Sequence, residues 1–192
     1  MKRIELRTRR LILRPLKIKD YPVWFEVVTN SLPAHNRWDK GPQPKNKCTK
    51  SRFRKIINGH KKDSRTDDCY WYGVFEKKTG LLVGAIDFDI FKRSTHQFAN
   101  FGYVIYNRHW GKGYGREAAK AGLIIGFKQL KLNRLEAAIN LDNKKSIRLV
   151  QLIGMRKEGI KKRYWFEFGG WVDHLIYVAN PEDIGMKPRK PF

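Results

Sequence analysis

Three glycines at alternate positions separate a strand-like segment from a helix-like segment. Gly111, Gly113 and Gly115 lie in "NRHWGKGYGREAAKAG", residues 107–122. Each ordered glycine costs about 0.5–1 kcal/mol, so their concentration in one loop needs a physical reason. Backbone N–H groups at a helix start converge on one spot where the helix dipole favours negative charge, and glycine leaves no Cβ in the way of an anion. The pattern indicates a phosphate-binding loop, with a tight structural turn as the alternative.

Two carboxylates form a second candidate group. Asp87 and Asp89 alternate with apolar residues in "AIDFDIF", residues 85–91, which places both on one face of a strand. There they can bind or deprotonate an amine, or they form an ordinary solvated strand face. Glu117, directly after the glycines, is a weaker candidate that suits the helix dipole, and Asp173–His174 is typical of structural polar residues in a hairpin.

The elements that must position these residues follow strand and helix patterns in turn. The sequence predicts strands in the segments "IELRTRRLILRPL", "YWYGVF", "LLVGAIDFDIF", "HQFANFGYVIY", "RLEAAINL" and "RYWFEF-GG-WVDHLIYV", the last being a hairpin with its turn at Gly169–Gly170. Asp20 and Thr49 can cap two helices, of which the second is expected to be short and to end near residues 58–62. The polar segment Leu32–Lys47 between them reads as a binding loop.

Two further helices are predicted after the glycines. From Arg116 to Leu130 apolar residues recur at helical spacing, and Ala118, Gly122 and Gly126 form a stripe of small residues that allows close approach. The segment "DNKKSIRLVQLIG" reads as a capped helix closed by a glycine. The sequence predicts a single domain over residues 1–180 and a loosely held C-terminal tail over residues 181–192.

Composition limits the class of protein and its partners. The 192 residues include two cysteines, neither in a metal-type CxxC pair, so ordinary thiols and no metal site are expected. No long apolar run or signal-peptide core is present, which predicts a cytoplasmic protein without a membrane partner. The 41 Lys and Arg against 18 Asp and Glu give a net charge of +23. This excess indicates an anionic ligand or surface as partner, or only a highly solvated surface.

Several blocks of the chain resemble the GNAT superfamily of N-acetyltransferases, and within it the RimJ/RimL branch. The run from "ANFGYVIYNRHWGKGYGREAAKAG" through "DNKKSIRLVQLIGMRKEG" is similar to its acetyl-CoA-binding core, and "RRLILRPL" is similar to an N-terminal block. The superfamily pattern [QR]-x-x-G-x-[GA] maps onto Trp110, Gly113 and Gly115. Trp110 replaces the usual Gln or Arg, and W-G-K-G-Y is itself the form of the RimJ/RimL branch.

The resemblance implies an α/β (α+β) fold with a mixed, mostly antiparallel twisted sheet, flanked by helices on both faces and splayed where the glycine-loop strand meets "RLEAAIN". Acetyl-CoA is the implied co-substrate. Its pyrophosphate is expected on the loop amides and its pantetheine arm along one strand, with one strand amide polarising the thioester carbonyl. The implied cofactor-binding residues are Gly102, Tyr103, Val104, Ile105, Trp110, Gly111, Lys112, Gly113, Tyr114, Gly115, Asn143 and Ser146.

The resemblance also implies roles in catalysis. Asn143 is expected to contact the pantetheine and Ser146 to protonate the leaving thiolate, although Asn143 can equally be a helix cap and Ser146 an incidental first-turn residue. Asp87, Asp89 or a water is expected to accept the proton of the amine. The implied reaction is direct acetyl transfer to a primary amine, such as a protein N-terminus. The alternatives are a ribosome- or RNA-associated CoA-binding protein and an acetyltransferase for small amines or antibiotics.

Overall fold

The computed structural model describes residues 5–188 and 190. Within these residues, eight strands form one sheet in the order β1-β2-β3-β4-β5-β6-β8-β7, with four α-helices. The strands are β1 (Leu6–Arg7), β2 (Leu11–Arg14), β3 (Cys69–Glu76), β4 (Leu82–Lys92), β5 (Phe98–Ile105), β6 (Arg134–Asn140), β7 (Arg156–Glu167) and β8 (Gly170–Ala179). The helices are α1 (Tyr21–Thr29), α2 (Lys50–Thr66), α3 (Tyr114–Ile124) and α4 (Lys144–Leu152).

The predicted fold class is confirmed. β1 with β2, β2 with β3, β6 with β8 and β7 with β8 pair antiparallel, whereas β5 and β6 run parallel. The parallel ladder joins Phe98, Ala99 and Asn100 to Arg134, Leu135 and Glu136. Within the described part of the chain the ladder stops there, while both strands continue. The family resemblance implies a splay at this junction of β5 and β6.

The described residues fall into two compact units. The first comprises the chain up to Asp87 together with Tyr103–Ala118, and the second comprises Phe88–Gly102 together with the chain from Ala119 onward. The prediction of one domain over residues 1–180 stays a prediction. The predicted tail begins with a helical turn, Pro181–Ile184, whose Asp183 pairs with Arg156 at 2.9 Å.

In the first unit, α1 and α2 pack against the sheet through aromatic and branched side chains. Trp24 and Phe53 have ring centroids 4.9 Å apart, and both belong to a buried cluster with Ile57 and Phe75. Thr49 caps α2 as predicted, because its hydroxyl accepts the Arg52 N–H. The expected end of α2 near residues 58–62 is wrong, since the helix continues to Thr66.

The prediction that Asp20 caps α1 is also wrong. Its carboxylate accepts the Lys17 N–H and both terminal nitrogens of Arg14, at 2.7 and 2.8 Å, and makes no capping bond to α1. A buried carboxylate gains more from a bidentate arginine than from one amide, which explains the difference.

In the second unit, α3 continues past Ile124 as a wider turn. The Leu130 N–H donates to the Ile125 oxygen, five residues back, at 3.0 Å. Gly126 lies against β6, and a Cβ at this position would come within 2.7 Å of the Leu135 side chain. The predicted stripe of small residues therefore has a packing reason at this position. Among the described residues, no helix is long and apolar enough to span a membrane.

Candidate functional site

The predicted phosphate loop joins β5 to α3 in the first unit. Gly111 and Gly113 have φ values of +77° and +75°, a left-handed conformation that side chains with a Cβ rarely adopt. The Glu117 N–H donates to the Gly113 oxygen at 3.3 Å, which closes the first turn of α3. The amides before Glu117 have no acceptor within the helix. The loop therefore presents backbone donors and the positive end of a helix dipole, as an anion site requires.

Trp110 fixes the start of this loop. Its indole Nε1–H donates to the Ile105 oxygen at the end of β5, at 2.6 Å. Lys112 contributes its backbone oxygen to the guanidinium of Arg10. The tryptophan that replaces the usual Gln or Arg of the superfamily thus anchors the loop to the preceding strand.

Arg10 brings a cation to the loop from the turn between β1 and β2. Its guanidinium donates to the Lys112 oxygen at 2.8 Å and to Glu117 Oε2 at 2.7 Å, and it lies over the ring of Tyr114. A Cβ added to Gly113 would be 3.4 Å from Arg10 Nη2. Arg10 belongs to the block "RRLILRPL", but no local pattern there indicates its contact with a loop 102 residues away.

Glu117 holds Arg10 and the turn before β2 in place. Its Oε1 accepts the Arg10 N–H at 2.8 Å and the Thr8 hydroxyl at 2.6 Å. Burial alone would raise the pKa of Glu117, but these hydrogen bonds and the guanidinium bring it below its usual range. Glu117 is more than a dipole partner, because it joins α3 to the N-terminal strands.

Asn107 ties the glycine-loop region to the predicted binding loop. Its side-chain amide donates to the Leu32 oxygen at 2.8 Å and to Asp39 at 2.9 Å, and its oxygen accepts the Leu32 N–H at 2.8 Å. Burial acts to raise the pKa of Asp39, and the bond from Asn107, with two backbone amides, brings it below its usual range. No sequence motif singles out Asn107, which is buried and fully bonded.

The predicted pantetheine strand is the second half of β5. Gly102, Tyr103, Val104 and Ile105 all lie beyond Asn100, where the ladder to β6 ends. Of these, Val104 is exposed and the other three are half-buried. An extended ligand can pair with the backbone of such a strand as an added strand.

Asp87 and Asp89 lie on β4 as expected. Both are half-buried, whereas Ile86 and Phe88 between and before them are fully buried. The alternation confirms that the two carboxylates share one strand face. Their role as a base stays a prediction.

Asn143 and Ser146 belong to the second unit, at the start of α4. The Asn143 side-chain oxygen accepts the Ser146 N–H at 3.2 Å, so Asn143 does cap the helix. This bond uses the oxygen only, and the side-chain nitrogen is a donor of its own. Both residues are half-buried. Capping and ligand contact are therefore compatible at Asn143.

Asp173 and His174 hold β7 to β8, in agreement with their structural interpretation. The Asp173 carboxylate accepts the Lys162 ammonium and the Arg163 N–H, and the bond from Lys162 leads the causes that lower its pKa. His174 is fully buried and lies 3.2 Å from the Asn140 amide nitrogen. Within residues 5–188 and 190, no cluster of three or more His, Cys, Asp or Glu is arranged to hold a metal ion.

Comparisons with known proteins decide the family. A family model for an acetyltransferase (GNAT) domain matches residues 10–156. The chain belongs to the GNAT family of acetyltransferases. It is 32% identical over 131 residues to a probable N-acetyltransferase, YjcK, of Bacillus subtilis, covering 68% of this chain and 72% of that protein.

The RimJ/RimL-like resemblance is confirmed as well. This acetyltransferase is 22% identical over 181 residues to the [ribosomal protein uS5]-alanine N-acetyltransferase of Escherichia coli, covering 94% of this chain and 93% of that protein. The structure of Mycobacterium smegmatis RimJ in complex with CoA-disulfide has the same fold, with a TM-score of 0.75 and 23% identity over 94% of this chain and 85% of that one. A non-catalytic CoA-binding role is not favoured, because the named relatives are N-acetyltransferases.

Proposed function

We propose that this protein transfers the acetyl group of acetyl-CoA to the N-terminal α-amine of another protein. The observation that carries the proposal is the loop of Gly111 and Gly113 at the start of α3, with the Arg10 guanidinium beside it. Backbone donors, a helix dipole and a cation at one place suit the pyrophosphate of acetyl-CoA.

The other contacts to acetyl-CoA come from the loop, from β5 and from α4. The pyrophosphate binds the amides between Gly111 and Gly115, and the pantetheine pairs with the backbone of residues 102–105. Trp110 and Tyr114 hold the loop that presents these amides, and Asn143 donates to the pantetheine from the start of α4. Glycine stands at the two loop positions with positive φ, so no Cβ blocks the anion at either of them.

The reaction is a direct attack of the acceptor amine on the thioester of acetyl-CoA. The amine nitrogen bonds to the thioester carbonyl carbon while a β5 amide stabilises the developing oxyanion. The C–S bond then breaks, and Ser146 gives the leaving thiolate a proton and regains one from a solvent water. The ammonium formed by the attack loses its extra proton to Asp87, Asp89 or a water, which leaves an amide and free CoA.

An α-amine is the acceptor that best suits such weak bases. With a pKa near 7.8, roughly 10–20% of it is neutral at pH 7, against less than about 0.1% of a lysine side chain. The relative that acetylates the alanine of a ribosomal protein supports this acceptor class. The net charge of +23 disfavours a polycationic acceptor such as a polyamine, because the protein's field repels it.

The proposal includes an anionic partner and a location. Residues 45–62, here named the basic segment, hold eight Lys and Arg and no acid. We assign this segment to contact with ribosomal RNA beside the acceptor N-terminus. A cytoplasmic location is part of the proposal, because ribosomes and acetyl-CoA are present together there.

Release of free CoA with matched acceptors tests the activity. The first acceptor is a peptide that begins with alanine and contains one lysine, and the second is the same peptide with a blocked N-terminus. Acetylation is expected on the first peptide alone, located by mass spectrometry at the α-amine. Equal turnover of the blocked peptide, or faster turnover of spermidine, would contradict the acceptor class, and no release with any amine would contradict the activity.

A further inference from the structure

A cavity opens in the first unit where two paired strands part. The pairing of β2 with β3 ends at Arg14 and Gly73, and the chain then turns away through Pro15–Ile18. A cavity of about 640 Å³ lies between this turn, the start of β3 and the C-terminal half of α2. Its lining includes none of the residues assigned above to acetyl-CoA or to catalysis. The volume is that of a site for a small molecule.

One wall of the cavity is aromatic. The rings of His60 and Trp71 are stacked, with centroids 4.9 Å apart and an angle of 10° between their planes. Trp71 is half-buried and lines the cavity together with Tyr70 and the apolar side chain of Ile57. Burial lowers the pKa of His60, although Asp63 acts in the opposite direction, so the imidazole is mainly neutral at pH 7. A planar ring can lie against this uncharged wall.

The cavity carries uncompensated positive charge. Lys17, Lys61 and Arg65 line it, and none of them forms an ion pair with another described residue. The other two charged side chains of the lining are already paired, Arg14 with Asp20 at 2.7 Å and Glu5 with Arg7 at 2.8 Å. Three unpaired cations beside an apolar and aromatic wall suit a ligand that combines a ring with an anionic group.

We propose that this cavity binds a nucleoside 5′-phosphate. The base lies along the Trp71 wall, and the phosphate contacts Lys61 and Arg65 at the C-terminal half of α2, with Lys17 opposite. The ligand is either a free mononucleotide or the 5′ end of an RNA, because both present the same ring and phosphate. The site is separate from the acetyl-CoA loop and does not depend on the acetyltransferase activity.

Calorimetric titration with AMP and UMP, in the presence of saturating CoA, tests the proposal. CoA fills the glycine loop. Because CoA also carries an adenine ring and phosphates, the titration is repeated without CoA, and the charge-reversed variants assign the binding site to the cavity. Lys61→Glu and Arg65→Glu are each expected to weaken binding at least tenfold. The matched control is Lys62→Glu, which makes the same charge change at the neighbouring position of α2 but lies outside the lining.

Each outcome decides the proposal. No binding of AMP or UMP, with CoA present or absent, overturns it, as does an equal loss of affinity in Lys62→Glu, which would indicate diffuse charge attraction only. Inorganic phosphate binding as tightly as AMP would overturn the role of the aromatic wall. A short oligoribonucleotide that binds better with a 5′-phosphate than with a 5′-hydroxyl identifies RNA as the source, and tighter binding of AMP identifies the free nucleotide.

Discussion

At the scale of single residues, the glycine loop depends on backbone conformation as much as on sequence. Gly80, in the turn between β3 and β4, has φ +73°, nearly the value of Gly113, and no atom within 4 Å of an added Cβ. Replacing glycine by alanine therefore costs a similar backbone strain at the two positions. They differ in that only Gly113 has the Arg10 guanidinium close by.

Gly113→Ala is expected to weaken CoA binding about tenfold, which corresponds to about 1.4 kcal/mol, because the new methyl group occupies the anion cradle. Gly80→Ala is the control and should leave CoA affinity unchanged at a similar loss of thermal stability. Calorimetric titration with CoA measures both variants. Unchanged CoA affinity in a folded Gly113→Ala protein would remove the loop from the cofactor site.

Glu117 makes the stability of the folded protein depend on pH. Because its pKa is lowered in the folded protein, its bonds to Thr8 and Arg10 add stability above the ordinary carboxyl pKa, near 4.5, and this stability is lost as the pH falls through the lowered value. Glu117→Gln should lower the free energy of unfolding by about 1–3 kcal/mol at pH 7. In urea titrations the difference should shrink below about pH 4.5. A difference that persists undiminished in acid would contradict the linkage.

Asn143 and Ser146 allow the roles at α4 to be separated by kinetics. Asn143→Ala should raise the KM for acetyl-CoA more than Ser146→Ala does, because Asn143 contacts the bound cofactor. Ser146→Ala should mainly lower kcat, through slower protonation of the thiolate. Asn143→Asp, which preserves the cap but removes the amide donor, distinguishes ligand contact from helix capping. The opposite KM and kcat pattern would mean that the roles are exchanged.

At the scale of elements, two helical glycines have opposite surroundings. Gly126 presses against Leu135 and Phe88, whereas Gly59, exposed on α2, has no atom within 4 Å of an added Cβ. Packing therefore requires glycine at the first position and nothing in the structure requires it at the second.

Gly126→Ala is expected to lower the free energy of unfolding by about 1–3 kcal/mol, because the methyl group overpacks the contact with β6. Gly59→Ala should raise it by about 0.5–1 kcal/mol, since alanine loses less backbone entropy in a helix. Urea unfolding of both variants measures the pair. A stabilised Gly126→Ala protein would show that the helix can move away from β6 freely.

At the scale of the whole molecule, the positive charge is unevenly balanced. Helix α2 exposes seven Lys and Arg, and none of them pairs with a carboxylate in the part of the chain that the structure describes. The carboxylates of Glu136, Glu158 and Asp183, by contrast, are paired with basic residues. Unpaired cations along one helix can bind a polyanion, and they can equally keep the protein soluble.

Charge reversal at Lys45, Lys50, Arg52 and Arg54 distinguishes these roles. Binding of ribosomes or RNA should fall with salt along a log–log slope of several units, about 0.7–0.9 per phosphate contacted, and the variant should flatten that slope. Filter binding at several salt concentrations measures it. No binding at low salt, or an unchanged slope in the variant, would leave the charge as a solvated surface.

The sequence by itself determined the order of the main strands and helices and the position of the glycine loop between β5 and α3. Strand alternation, helical spacing and the W-G-K-G-Y run are properties of neighbouring residues, so they can be read without the fold. The family resemblance followed from the same short segments. The end of α2 was predicted too early, because a glycine such as Gly59 commonly follows the last turn of a helix. In the structure, Ile57 packs in the core and His60 stacks on Trp71, and both contacts stabilise the helix beyond Gly59.

Only the tertiary structure decided which distant residues meet. Arg10 and Glu117 are 107 positions apart, and Asn107 reaches Leu32 across 75 positions. No local pattern encodes such contacts, because they depend on which strands pair and where a ladder ends. The cavity beside α2 has the same origin, since it exists only because β2 and β3 part after Arg14 and Gly73.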